Sequence, residues 1–257
     1  MKICKYLNLG AYLIAFVLGL SFALNSAWMG TKILNGSLAD VLTGYAISPM
    51  TPDLPVEIFI GLTPLFAFIF WFGGIFVQEL ETYAVFIFTR SKKPGLLFIK
   101  KAWTILINMV LYLSLYYLGQ VLIFELHGIK QTGLSGIPEA LSAIALQIPL
   151  YYLLSIITNW ISLHIGKMKS MILCTGLVLL FLLISYIGYE SRCDILFSLS
   201  PISNSFLKWY NIEIMGWIPQ YFNSKFSTIY WVISITFTLI LFYNDYVKID
   251  ICFGVDE

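Results

Sequence analysis

The chain has 257 residues, of which 59% are hydrophobic and only 11% charged, and its net charge is +1. A soluble domain is roughly 45–50% apolar and about 25% charged, so this composition excludes a soluble fold and makes the bilayer the solvent. The small net charge also excludes the global basic field that gathers nucleic acid.

An apolar helix needs about 20 residues to cross the hydrocarbon core. In chain order, the first run that meets this length covers residues 7–28. Lys2 and Lys5 precede it in the manner of a secretory signal, but it exceeds the roughly 7–15 apolar residues of a signal core and further spans follow. It is read as the first membrane helix. Ala11, Ala15, Gly19, Ala23 and Ala27 recur within it at every fourth position. Such residues form one smooth ridge on a helix, and small ridges let membrane helices approach closely. The ridge is expected to receive another helix, either from this chain or from a second chain, identical or related.

The second span covers 56–77 and contains Pro64, which membrane helices tolerate when neighbours satisfy the freed carbonyl. It is followed by the loop "QELETYAVFIFTRSKKPGLLFIKKAW", in which Glu79, Glu81, Arg90, Lys92, Lys93, Lys100 and Lys101 stand between two apolar runs. Holding even one of these cations at the bilayer centre costs about 2.5–3.5 kcal/mol. Residues 79–88 contain no Gly or Pro and suit a short helix, ending at the Lys93-Pro94-Gly95 break. Lys100 and Lys101 are expected to reach the headgroups at the base of the third span.

The remaining spans are predicted at 102–124, 140–163, 171–188 and 227–243, with Gln147 and Pro149 expected to kink the fourth. Between the last two lies "DILFSLSPISNSFLKWY", two apolar pieces too short to span, separated at Pro201. With Trp209, Tyr210, Trp217 and Tyr221 nearby, it suits short re-entrant or interfacial helices. The fold expected is therefore one all-α membrane domain over 1–257, with six transmembrane helices.

Six spans place both termini on one side. With the termini inside, ten Lys and Arg residues are cytoplasmic and five are external, the asymmetry that the positive-inside rule favours. Cys4, Cys174, Cys193 and Cys252 show no C-x-x-C spacing, and under this topology they fall in different compartments. Neither a metal site nor an internal disulfide is expected. No sequence repeat links the first three spans with the last three, which counts against an inverted-repeat transporter.

The six-span frame with both ends inside, "QELETYAVFIFTRSKKP" after the second span, and "SLSPISNSF" between the fifth and sixth together resemble the membrane subunits of type-two ABC exporters. The resemblance covers nearly the whole chain in layout. It implies that Glu79, Glu81, Arg90, Lys92 and Lys93 belong to a loop coupling the permease to a separate cytoplasmic ATPase. It also implies a second permease chain, identical or related, in a bacterial plasma membrane. ATP and Mg would bind the partner, because the chain has no G-x-x-x-x-G-K-[ST] run and "HIGKMKS" lacks the glycine loop that cradles phosphate. The chain itself is then not an enzyme and holds no cofactor. By the same resemblance the cargo is a peptide, including antimicrobial peptides against which such exporters give immunity, or a drug.

Two other classes compete. A membrane-embedded enzyme such as an intramembrane protease needs carboxylates and histidines converging within the bilayer. His127 and His164 fall on opposite sides under this topology, and Glu57 and Glu125 sit at outer span ends. A non-transporting sensor or anchor subunit would require no ATPase. Asn25, Asn108, Gln120, Gln147 and Asn159 are candidates either for a substrate path or for interhelical hydrogen bonds.

Overall fold

The computed structural model describes residues 9–29, 55–78, 94–126, 136–205, 210 and 217–253, and all long regular elements among them are helices. They are α1 (Leu9–Met29), α2 (Pro55–Phe72), α3 (Pro94–Leu126), α4 (Gly136–Ile165), α5 (Lys167–Glu190), α6 (Asp194–Leu199) and α7 (Ser224–Phe253). Stretches of α3, α4, α5 and α7 are long and apolar enough to cross a membrane, and shorter apolar helices cover Leu9–Leu24 and Leu62–Gln78.

The sequence explains where these helices begin and end. Pro94 opens α3, where its missing N–H removes no intrahelical bond. The predicted third span thus starts a full two turns late: α3 already includes the apolar residues 96–99. α5 stops in a Schellman arrangement, with Cys193 N–H donating to Gly188 O at 2.9 Å and Arg192 N–H to Tyr189 O at 3.1 Å. Arg192 takes the left-handed position with φ 51°, where glycine is usual. Asn223 caps α7 by accepting the Phe226 N–H at 3.0 Å. α4 runs through Pro149 as one helix.

Cross-chain contacts set the directions. Tyr12 of α1 bonds Asn108 of α3, and Ala23 packs with Ile123, so α1 and α3 run parallel. Phe76, just after α2, meets Phe98 of α3 and Tyr246 of α7 with ring centroids 5.6 and 5.7 Å away. Trp160 of α4 donates to Asp245 of α7 at 2.8 Å. The start of α1, the Gln78 end after α2, the start of α3, the α4–α5 turn and the last turns of α7 therefore share one end of the bundle. The α5–α6 turn and the start of α7 lie at the other.

One hydrophobic cluster joins α1, α2, α3, α4, α5, α6 and α7, centred on aromatic side chains such as Phe68, Phe72, Tyr112 and Tyr151. α3 and α4 are the most enclosed of the long helices. α5 and α7 present rows of exposed aliphatic and aromatic side chains, as a lipid-facing surface requires.

Candidate functional site

Four features bear on function: the ridge of α1, a break after α2, a buried polar knot around α6, and the charged end of the bundle. On α1, Ala11, Ala15 and Ala23 are fully buried, and Gly19 lies against the backbone of α3. A Cβ at Gly19 would sit 2.1 Å from Tyr116 O, and one at Gly119 would sit 2.7 Å from Phe16 O. The ridge is thus filled by the chain's own α3, and no second chain is needed to cover these four residues. Nothing about the Ala27 side chain falls within the described residues.

After Phe72 the helix is interrupted at Gly73–Gly74 and then resumes for one turn to Gln78. Asn159 of α4 bridges the interruption. Its Nδ2 donates to Phe72 O at 2.8 Å and to Ser155 O at 2.8 Å, and its Oδ1 accepts the Phe76 N–H at 3.2 Å. An amide is suited to this work because it supplies donor and acceptor together, where hydrocarbon supplies neither. The glycines make room. A Cβ on Gly73 would meet Thr158 Cγ2 at 2.7 Å, and one on Gly74 would meet Lys167 Cδ at 2.6 Å.

Several other polar residues of the spans are also hydrogen-bonded. Tyr12 donates to Asn108 Oδ1, Asn108 Nδ2 donates to Thr104 O at 2.7 Å, and Tyr117 donates to Gln147 Oε1. Tyr112 donates to Pro64 O at 2.9 Å. These bonds tie α1, α2, α3 and α4 together. Gln120 is buried, and its Oε1 finds no partner among the described residues.

The segment around Pro201 is more enclosed than an interfacial loop. α6 folds back on α5 so tightly that a Cβ at Gly188 would lie 2.5 Å from Phe197 N. Beyond it, Ile202, Ser203, Asn204 and Ser205 are all fully buried. Asn204 is the hub: its Nδ2 donates to Ser198 O at 2.7 Å and Ser200 O at 2.8 Å, and its Oδ1 accepts Ser227 Oγ at 2.6 Å. Its backbone carbonyl accepts the Trp231 indole and the Tyr210 hydroxyl, both at 3.2 Å. Burial pushes the Tyr210 hydroxyl up from its ordinary value. Ser200 reaches α5 through Phe181 O at 2.9 Å and Ser185 Oγ at 2.6 Å. The knot therefore adds hydrogen bonds between α5, α6 and α7 to the apolar packing of Phe197, Ile202 and Phe222. The second apolar piece, residues 206–209, lies outside the described residues.

Glu79, Glu81, Arg90, Lys92 and Lys93 also lie outside the described residues. Lys100 is exposed as expected, but Lys101 is not a headgroup anchor. It is buried, with Nζ 4.9 Å from the Phe76 ring centroid and 5.9 Å from that of Tyr246. Helical periodicity explains the difference: residues 100 and 101 point about 100° apart, and only the second shares the inward face of Phe98 and Ile105. Sequence reasoning expected Lys101 at the headgroups and missed Asn204; Asn159 makes interhelical hydrogen bonds, one of its two expected roles, and the adjacent glycines after an apolar run signal the break that it bridges. Among the described residues no group of three or more His, Cys, Asp and Glu side chains gathers as a metal site. Comparison with protein-family models, with curated proteins and with solved structures finds no match for this chain.

Proposed function

We propose that this chain is the membrane permease subunit of an ATP-driven exporter of the type-two ABC kind. In this reading α1, α2, α3, α4, α5 and α7 are six spans with both termini in the cytoplasm. A separate ATPase docks on the loop 79–93, a second permease chain completes the transporter, and the cargo is a peptide, an antimicrobial compound or a drug. The observation that carries the reading is the arrangement of helix ends. The residues flanking the loop, Gln78 and Pro94, share one end of the bundle with the α4–α5 turn, the start of α1 and the last turns of α7. Lys100, Lys167 and Lys169 gather there too. A charged loop emerging at that end, beside every other cytoplasmic segment, has the placement that coupling to a soluble motor requires. The short α6 folded between the last two long helices supports the same reading.

The test is co-expression with an ATPase lacking membrane spans, encoded beside this chain, followed by purification through a tag on the permease. Stoichiometric recovery of the ATPase, and ATP hydrolysis that falls when Glu79, Glu81 and Arg90 are reversed in charge, is the expected result. Normal transport and normal complex assembly with all three reversed would sink the assignment.

A further inference from the structure

Lys167 opens α5, and its side chain does not extend freely into water. Its stem lies across Gly74, with Cγ, Cδ and Cε at 2.7, 2.6 and 3.0 Å from where a Cβ would stand. Its ammonium is thereby held 5.8 Å from the centroid of Phe70, a ring on the outer surface of α2 that is 53% exposed. Phe70 lies one turn further into the apolar part of α2 than Gly74. The glycine thus fixes a cation at the margin between lipid-facing apolar surface and the charged end of the bundle.

Among the described residues little balances that charge. The first turn of α5 carries Lys167 and Lys169 and no acid. Among the described residues no carboxylate comes within ion-pair distance of Lys167; Asp245 instead accepts the Trp160 indole and lies 3.7 Å from His164. Two cations in a first helical turn also oppose the helix dipole. A fixed ammonium beside an exposed ring at membrane depth complements one thing the bilayer offers, a phosphate whose acyl chains can lie against that ring.

We propose that Lys167, seated over Gly74 and assisted by Lys169, binds the phosphate of an anionic phospholipid, with its hydrocarbon against Phe70. The inference rests on the chain being embedded in a membrane and is independent of the proposed ATPase. Lys167 is the specific element, because Gly74 sets its position; Lys169 contributes only charge.

The experiment uses the full chain, delipidated and reconstituted in discs of equal phosphatidylglycerol and phosphatidylcholine. Lipids retained after extraction into mild detergent are counted by native mass spectrometry. Wild type should retain phosphatidylglycerol in preference, and Lys167→Met, which keeps most of the packed stem, should lower that retention about fivefold, as expected for one interfacial cation. Lys167→Arg should restore much of it. Gly74→Ala changes no charge but displaces the lysine stem, and should lower retention as well; Lys169→Met should have a smaller effect. Soluble glycerol phosphate at millimolar concentration should not compete. Equal retention of both lipids by wild type, unchanged retention in Lys167→Met (the result if a carboxylate of the 79–93 loop holds the ammonium), a silent Gly74→Ala, or displacement by glycerol phosphate would each overturn the proposal.

Discussion

Gly19 of α1 and Gly119 of α3 face each other across a parallel helix crossing, each admitting the other helix's backbone where a Cβ would stand. The missing atoms would lie 2.1 Å from Tyr116 O and 2.7 Å from Phe16 O. Lipid tails are as apolar as leucine, so these helices gain nothing from hydrophobicity alone; close backbone packing is what holds them. Gly19→Leu should therefore destabilise the protein by about 1–3 kcal/mol or more, as overpacking does. Leu20→Ala, at a half-buried position, should cost less. Thermal unfolding in detergent compares the two, and an unchanged midpoint for Gly19→Leu would show that the helices do not meet in this way.

Asn159 offers a second test. Replacing it by Leu removes partners from Phe72 O and the Phe76 N–H together, at about 1–3 kcal/mol for each buried group left unsatisfied. Asn159→Leu should lower thermal stability and raise hydrogen exchange selectively at residues 73–78. Uniform exchange along α2 would mean that the break does not depend on this side chain.

The knot at α6 makes a cooperative prediction. Asn204→Ala and Ser227→Ala each remove one side of the 2.6 Å bond between them. A double-mutant cycle should return a coupling of about 0.5–3 kcal/mol, whereas independent sites add to within about 0.5 kcal/mol. Strict additivity would contradict a shared network.

Orientation is the fourth expectation. A cysteine introduced at Ser91 should react with a membrane-impermeant thiol reagent only from the cytoplasmic side, and one at Gly216 only from outside. Cys4, Cys174, Cys193 and Cys252 should be replaced first to keep the background silent. Reaction of the Ser91 site in intact cells would invert the proposed topology and remove the basis for ATPase docking.

Hydropathy summed along the chain located the long helices but not all of their ends, because the desolvation cost of a backbone in lipid falls on every consecutive residue and is a local property. Predicted spans 7–28 and 140–163 correspond closely to α1 and α4, and the Ala and Gly ridge announced that α1 would be packed tightly. Composition also pointed to a membrane setting, with which four long apolar helices are compatible. What the sequence left open was who meets whom. Whether that ridge met α3 or another chain, whether Lys101 faced headgroups or rings, and how the chain breaks at Gly73–Gly74 depended on groups far away in sequence. Asn159 stands 83 positions from Phe76, and Tyr12 stands 96 from Asn108. Such pairs form only when helix direction, rotation and crossing are all set. The loop 79–93 is legible as charge pattern alone and lies outside the described residues. The segment at Pro201 shows the limit most plainly: its apolar pieces suit short re-entrant or interfacial helices, but the partners of its serines and asparagine are set only when α5 and α7 enclose it.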